Sequence, residues 1–281
     1  MTDVREIDVE TIISTVADMC IQANLELSPE MSDGIRRAAD EETGELGKRV
    51  LGQLLENMKI AAEDRIPICQ DTGMAVFFVK VGQEVHITGG SLTDAINSGV
   101  RKGYGEGYLR KSVVSDPLIR VNTNDNTPAI IHYDIVEGDR LEITVAPKGF
   151  GSENMSKVYM LKPADGVEGV KAAIIQTVAD AGPNACPPFV VGVGIGGDFE
   201  LAAELSKRAL TRTGHSDKEH IAALETELLD SINALGIGPA GLGGRTTALA
   251  VNIETYPTHI AGLPLAVNMC CHVDRHVTVE L

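Results

Sequence analysis

A change of hydrophobic period at Pro67 constrains this chain more than any other feature. Before it, Val9, Ile12, Ile13, Val16, Met19, Cys20 and Ala23 recur at helical spacing, and Leu46, Val50, Leu51, Leu54, Leu55 and Met58 do so again. Cys20 is therefore expected on a buried stripe. After it, residues 74–80, 129–136 and 141–145 are β-rich runs of strand length, and the last two are expected to pair as a hairpin about Glu137-Gly138-Asp139. Helical spacing returns at 92–110, 167–180, 199–210 and 218–235, with strands at 189–193 and 246–253. Helices and strands interleave without a regular βαβ alternation, and there is no repeat, low-complexity tract or long polar linker. The expectation is a single domain over 1–281 of mixed α/β class: a helix-rich amino-terminal region, then mixed or antiparallel sheets flanked by helices.

Composition narrows the partners. The formal charge is −16, from 40 acidic against 24 basic residues, so a nucleic-acid backbone or an anionic membrane would be repelled over most of the surface. Aromatic residues are only 4% and Trp is absent, which removes the stacking platforms used for single strands. The amino terminus shows no basic stretch followed by an apolar run, and no apolar segment reaches membrane-spanning length, so a cytoplasmic protein is expected. Five cysteines are too few for a disulfide framework in a chain of this size, and their odd number favours free thiols or metal ligands.

Four stretches combine reactive side chains with permissive backbone. In Pro67-Ile-Cys69-Gln70-Asp71-Thr72-Gly73 a thiol, an amide, a carboxylate and a hydroxyl precede a strand, where a turn can aim several at one point; an ordinary turn with a buried cysteine is the alternative. Asn184-Ala-Cys186-Pro187-Pro188 places proline after cysteine, as in cluster-binding ferredoxin runs. Ala266-Val-Asn-Met-Cys270-Cys271-His272 holds adjacent cysteines, of which one can normally ligate a given centre; a vicinal disulfide would strain the backbone. In Lys148-Gly149-Phe150-Gly151-Ser152, glycines let amides approach an anion and Lys148 supplies charge, or the segment is a plain loop.

Gly192-Val-Gly194-Ile-Gly196-Gly197 also fits the dinucleotide fingerprint, which would make the chain an NAD-dependent oxidoreductase. Against that, Asp198 and Glu200 would repel a pyrophosphate at the following helix start, and Asp217 lies in a polar helix-start segment rather than at a strand end. His259, His272 and His276 lie near the cysteine pair, but no C-x-x-C pair occurs, and cysteines far apart in sequence suit a cluster held by tertiary structure better than a local zinc knuckle.

Five motifs together, Ile68-Cys-Gln-Asp-Thr-Gly73, Lys148-Gly-Phe-Gly-Ser152, Ala185-Cys-Pro-Pro188, Gly241-Leu-Gly-Gly-Arg245 and Cys271-His-Val-Asp-Arg275, resemble the class I, iron–sulfur-dependent fumarate hydratases and their relatives the L-tartrate dehydratases. The similarity covers the amino-terminal half of the fused enzymes. It implies an α subunit of a hetero-oligomer whose β subunit carries the other half of the active site, acting on a small dicarboxylate. It further implies Cys69, Cys186 and Cys271 as ligands of a 4Fe–4S cluster. Gln70, Arg110, Lys148 and Gly151 would bind substrate, Arg110 being matched through Tyr108-Leu-Arg-Lys111, and Asp71 and His259 would be catalytic. The same cysteines would permit an electron-transfer or sensory subunit.

Overall fold

The structure, a computed structural model, describes residues 4–281; residues 1–3, the start of the amino-terminal stretch read above, lie outside it. In chain order the elements begin with β1 (Arg5–Asp8), α1 (Val9–Leu25), α2 (Pro29–Glu41), α3 (Glu45–Asp64), β2 (Met74–Gly82), β3 (Val85–Thr88) and α4 (Leu92–Glu106). There follow β4 (Ile130–Val136), β5 (Leu141–Lys148), the single turn α5 (Phe150–Glu153), β6 (Lys157–Leu161) and α6 (Gly166–Ala181). The chain ends with β7 (Phe189–Gly197), α7 (Phe199–Ala209), α8 (Glu219–Asn233), β8 (Ala248–Thr258), β9 (Leu263–Cys270) and β10 (Val277–Glu280). The mixed α/β expectation holds. Among the described residues no helix is long and apolar enough to cross a membrane.

The contacts divide the chain into two compact units, neither contiguous in sequence. The first comprises the residues up to Leu27, Met58–Gly149 and Arg275–Leu281; the second comprises Ser28–Asn57 and Phe150–Asp274.

In the first unit a four-stranded sheet has the order β10-β5-β2-β4, and β1 and β3 form a separate parallel pair. α1 starts where the Asp8 carboxylate accepts the Glu10 amide at 2.9 Å, filling one of the unpaired donors of the first turn. Its stripe of Ile12, Val16, Met19, Cys20 and Ala23 is buried as the spacing predicts. α4 lies close against it, because Gly99 and Gly103 present no side chain: a Cβ there would stand 2.6 Å from the Val16 Cβ and 2.7 Å from the Ala17 carbonyl. Phe77, Val79, Ile143 and Val145 complete this core; each such fully buried side chain contributes about 1.5–3 kcal/mol.

Two expectations fail in this unit. Residues 129–136 and 141–148 form no hairpin, since β2 lies between them, parallel to β4 and antiparallel to β5. The reason is burial: Ala75–Val79 is buried at every position and takes a central place, while β4 alternates exposed and half-buried residues and takes the edge. The link through Gly138 passes over the end of β2 at Gly82, where a Cβ would stand 2.3 Å from the Gly138 carbonyl oxygen. The helix expected over 92–110 stops at Glu106, because Gly107 caps it and Tyr108 turns the chain with a left-handed φ of 52°.

In the second unit the sheet order is β6-β9-β7-β8, with β7 parallel to β8 and antiparallel to β9. Alternation along β7 divides its two faces. Phe189, Val191 and Val193 pack with Val170, Ile174 and Val178 of α6 and Ile221, Leu228 and Ile232 of α8. Gly192 and Gly194 lie on the other face against α7, where a Cβ would stand 2.1 Å from the Ser206 and Ala202 carbonyl oxygens respectively.

Candidate functional site

Each unit gathers part of the expected site. In the first, the Cys69-Gln70-Asp71 turn follows α3 and enters β2, whose first residue, Met74, pairs with Lys148 at the end of β5. Gly73 has a φ of 79°, and a Cβ there would stand 2.7 Å from the Lys148 amide nitrogen, so the turn needs glycine to close on β5. The Asp71 carboxylate accepts the Gly73 amide at 3.0 Å and would be 3.2 Å from a Cβ on Gly149. Arg110, freed from the helix by the turn at Tyr108, donates its backbone N–H to the Thr72 hydroxyl at 2.9 Å. Cys69, Gln70, Asp71, Arg110 and Lys148 are thereby brought to one end of the first sheet.

Three buried side chains hold that turn. The Tyr104 hydroxyl donates to the carbonyls of Thr72 (2.9 Å) and Gly73 (3.1 Å). Asn126 donates to the Gly73 carbonyl at 3.1 Å and accepts the Ser112 amide at 2.7 Å. Arg275 donates to the Asp71 carbonyl at 2.6 Å and the Pro147 carbonyl at 3.3 Å, tying the turn to β5. Burial pushes the Tyr104 phenol well above its ordinary value, so it remains a donor at any working pH. Sequence reasoning missed these roles, although Arg275 lay inside a noted motif. The partners are 14 to 204 residues apart, and only Arg275 carried a local signal.

In the second unit Cys186 and Cys271 come together. Cys186 is exposed, with a left-handed φ of 55°, and its carbonyl meets the His272 amide at 3.4 Å and ring Nδ1 at 3.2 Å. Gly151 stands close by, a Cβ there being 4.0 Å from the Asn184 carbonyl oxygen. His259 does not join them. It lies in the exposed β8–β9 turn, its Nδ1 accepting the Ala261 amide at 3.2 Å, while Cys271 follows the far end of β9. An eight-residue strand separates them, roughly 25 Å at about 3.3 Å per residue. His259 instead edges a cleft of about 570 Å³ with Asp198, Glu200 and Glu204.

The five cysteines sort by environment. Cys20 is fully buried, and burial pushes its pKa up to about 12, which keeps it protonated and a poor metal ligand. Cys270 is buried on β9 opposite Val190. Cys69 and Cys271 are half-buried and Cys186 is exposed, so none of these three residues is sealed in the core. No group of three or more His, Cys, Asp or Glu side chains is placed to hold a metal ion among the described residues.

The glycine fingerprint at 192–197 has another use. Those glycines lie within β7, where Gly192 and Gly194 admit α7 and Gly196 lies against the Tyr256 carbonyl of β8, and the α7 amides of Glu200 and Leu201 are taken by the Asp198 carboxylate at 3.1 and 2.9 Å. A pyrophosphate would have to displace a carboxylate already seated there.

The family model described as Fumarate hydratase (Fumerase) matches residues 13–280. A protein of Methanocaldococcus jannaschii, provisionally named an L(+)-tartrate dehydratase subunit alpha, is 42% identical over 273 residues, covering 94% of this chain and 95% of the relative. Proteins named L(+)-tartrate dehydratase subunit alpha from Escherichia coli and Shigella sonnei are each 32% identical over 277 residues, covering 96% of this chain and 91% of the relative.

Proposed function

The chain belongs to the fumarate hydratase (Fumerase) family, and from that premise we propose that it is the α subunit of a hydro-lyase that adds water to, or removes it from, a small dicarboxylate. The observation that carries the reading is the sorting of the cysteines: Cys69 and Cys271 are half-buried and Cys186 is exposed, whereas Cys20 and Cys270 are buried. Soft sulfur donors without a local zinc spacing suit an iron–sulfur cluster, and Cys69, Cys186 and Cys271 would hold a 4Fe–4S cluster. With three cysteine ligands, such a cluster supplies an iron with one open position, a Lewis acid at the leaving hydroxyl.

The chain's own residues supply the rest. Dehydrating a hydroxy diacid also requires removal of a weakly acidic proton beside a carboxylate. Asp71, anchored by the Gly73 amide, would hold or move that proton. Lys148 is buried, so its charge is little screened by water, and with Gln70, Arg110 and the Gly151 amide it binds the two carboxylates. His259, expected to be catalytic, lies along β9 from Cys271 in this chain. The naming of relatives as α subunits supports a β subunit that completes the pocket.

Hydration of fumarate to L-malate is the reaction we assign; L(+)-tartrate is the second reading, favoured by the names of the relatives. The test is an assay of the anaerobically reconstituted α–β complex with fumarate, L-malate and both tartrate enantiomers. Water addition to or elimination from one of these is expected. Inertness toward all four, with reversible electron transfer to the partner instead, would overturn the reading.

A further inference from the structure

Gly241-Leu-Gly-Gly-Arg245 forms a loop behind Cys186, and a buried carboxylate from far away in the sequence holds it. Glu42 follows α2 and is 2% exposed. Its Oε1 accepts the amides of Thr43 and Gly44, both at 2.9 Å, and its Oε2 accepts the Arg245 amide at 2.8 Å. Burial pushes this carboxyl up, but the amides of Gly44, Arg245, Thr43 and Thr246 together outweigh it and hold it below the ordinary carboxylate value. It is thus an anion in a nest of backbone donors. The nest is built for it: a Cβ on Gly47 or Gly244 would stand 2.8 Å from Glu42 side-chain atoms. The Arg245 guanidinium is not part of the clasp; it is 61% exposed and pairs with Glu41 at 3.5 Å.

From this loop, contacts run directly to the Cys186 turn. The Ala240 amide donates to the Pro187 carbonyl at 2.9 Å, and the Phe189 amide donates to the Thr247 carbonyl at 2.9 Å. A Cβ on Gly241 would stand 2.3 Å from the Pro183 Cβ, so the two turns lie against each other. Within the loop, Gly238 donates to the Thr247 hydroxyl at 3.2 Å and Gly243 to the Ile237 carbonyl at 2.9 Å.

We propose that Glu42 is a positioning residue for Cys186: its carboxylate fixes the 238–247 loop, and the loop in turn fixes the left-handed turn that presents the thiol. The clasp and its coupling stand on the geometry alone; only their bearing on catalysis rests on Cys186 being a cluster ligand. Glu42→Gln would leave one acceptor oxygen and point an NH₂ at amide donors, whereas Glu42→Asp keeps the charge on a shorter arm.

Hydrogen exchange of the full chain, read by mass spectrometry, tests the coupling. In Glu42→Gln, exchange at the Cys186 and Phe189 amides is expected to rise roughly tenfold together with that of 238–247, while the 66–73 segment stays as in the wild type. Glu42→Asp is expected to fall between, and to carry the test if the glutamine variant fails to fold. Arg245→Ala, which keeps the backbone amide, is expected to match the wild type. The proposal is overturned if exchange rises only at 43–47 and 243–247, if it rises equally at 66–73, or if Arg245→Ala reproduces the effect. A companion measurement, the rate of iron loss from the reconstituted complex to a chelator, is expected to rise with Glu42→Gln. If exchange at 183–189 rises while iron loss does not, the positioning stands and the assignment of Cys186 as ligand fails.

Discussion

Replacing Tyr104 by phenylalanine isolates one hydrogen-bonding group beneath the Cys69–Asp71 turn. The side chain is fully buried, and phenylalanine keeps the ring and its packing. What is lost is a hydroxyl that donates to the Thr72 carbonyl at 2.9 Å and the Gly73 carbonyl at 3.1 Å. Gly73 keeps its donor from Asn126 at 3.1 Å, so the loss falls mainly on Thr72. Leaving one buried carbonyl without this donor costs about 1–2 kcal/mol, which in a protein of this size lowers Tm by roughly 3–6 °C. Thermal unfolding followed by circular dichroism measures it, with Tyr108→Phe as control because Tyr108 is 91% exposed and should not change. A Tyr104→Phe Tm within about 1 °C of the wild type would refute the reasoning that the phenol satisfies the turn.

Three further outcomes are expected. Gly194→Ala drives a methyl to 2.1 Å from the Ala202 carbonyl oxygen and is expected to cost at least about 2 kcal/mol in urea unfolding. Gly105→Ala, with open space around it in α4, is expected to be neutral or to stabilise by up to about 1 kcal/mol; equal effects would refute the packing account. For Asp125, burial raises the carboxyl, but the Thr127 amide and hydroxyl, Arg101 and Thr123 outweigh it and lower the pKa from 3.8 to about 2. With the folded pKa depressed, its stabilisation is present above about pH 4 and lost as pH falls toward 2; that part of the acid loss in urea midpoints is expected to vanish in Asp125→Asn, and its persistence would contradict the assignment. Arg275→Lys keeps the charge but loses the fork that spans the Asp71 and Pro147 carbonyls, and is expected to cost about 1–3 kcal/mol by denaturation; wild-type stability would contradict it.

How far the sequence discloses this molecule depends on the range of the interaction. The stripe of Ile12, Val16, Cys20 and Ala23 was legible because helical periodicity is local, and Cys20 is buried on it. Strand runs were legible for the same reason, but their partners were not. Alternation says that 129–136 is a strand, and only competition for burial places β2 between it and β5. The glycines of 192–197 match a phosphate-binding pattern and serve strand–helix contact, since the same absence of a side chain admits either neighbour. Cysteine with permissive backbone marked segments that are turns at Cys69 and Cys186, whereas Ala266–Cys270 runs as the end of β9. The buried donors behind them were not marked, because Tyr104, Asn126 and Glu42 act on carbonyls or amides distant in sequence. His259, expected from the family resemblance alone, lies in the β8–β9 turn, a strand's length from Cys271.

The most direct test of the account is the iron content and visible absorbance of five anaerobically reconstituted variants, with serine placed singly at 20, 69, 186, 270 and 271. The account predicts that Cys69→Ser, Cys186→Ser and Cys271→Ser lose the cluster absorbance and the lyase activity. Cys20→Ser and Cys270→Ser are expected to keep both, with only a stability loss of about 1–3 kcal/mol from a buried hydroxyl. A Cys270→Ser protein that bleaches while Cys271→Ser stays coloured would move the ligand by one residue. Full colour and activity in all five would contradict the cluster site altogether.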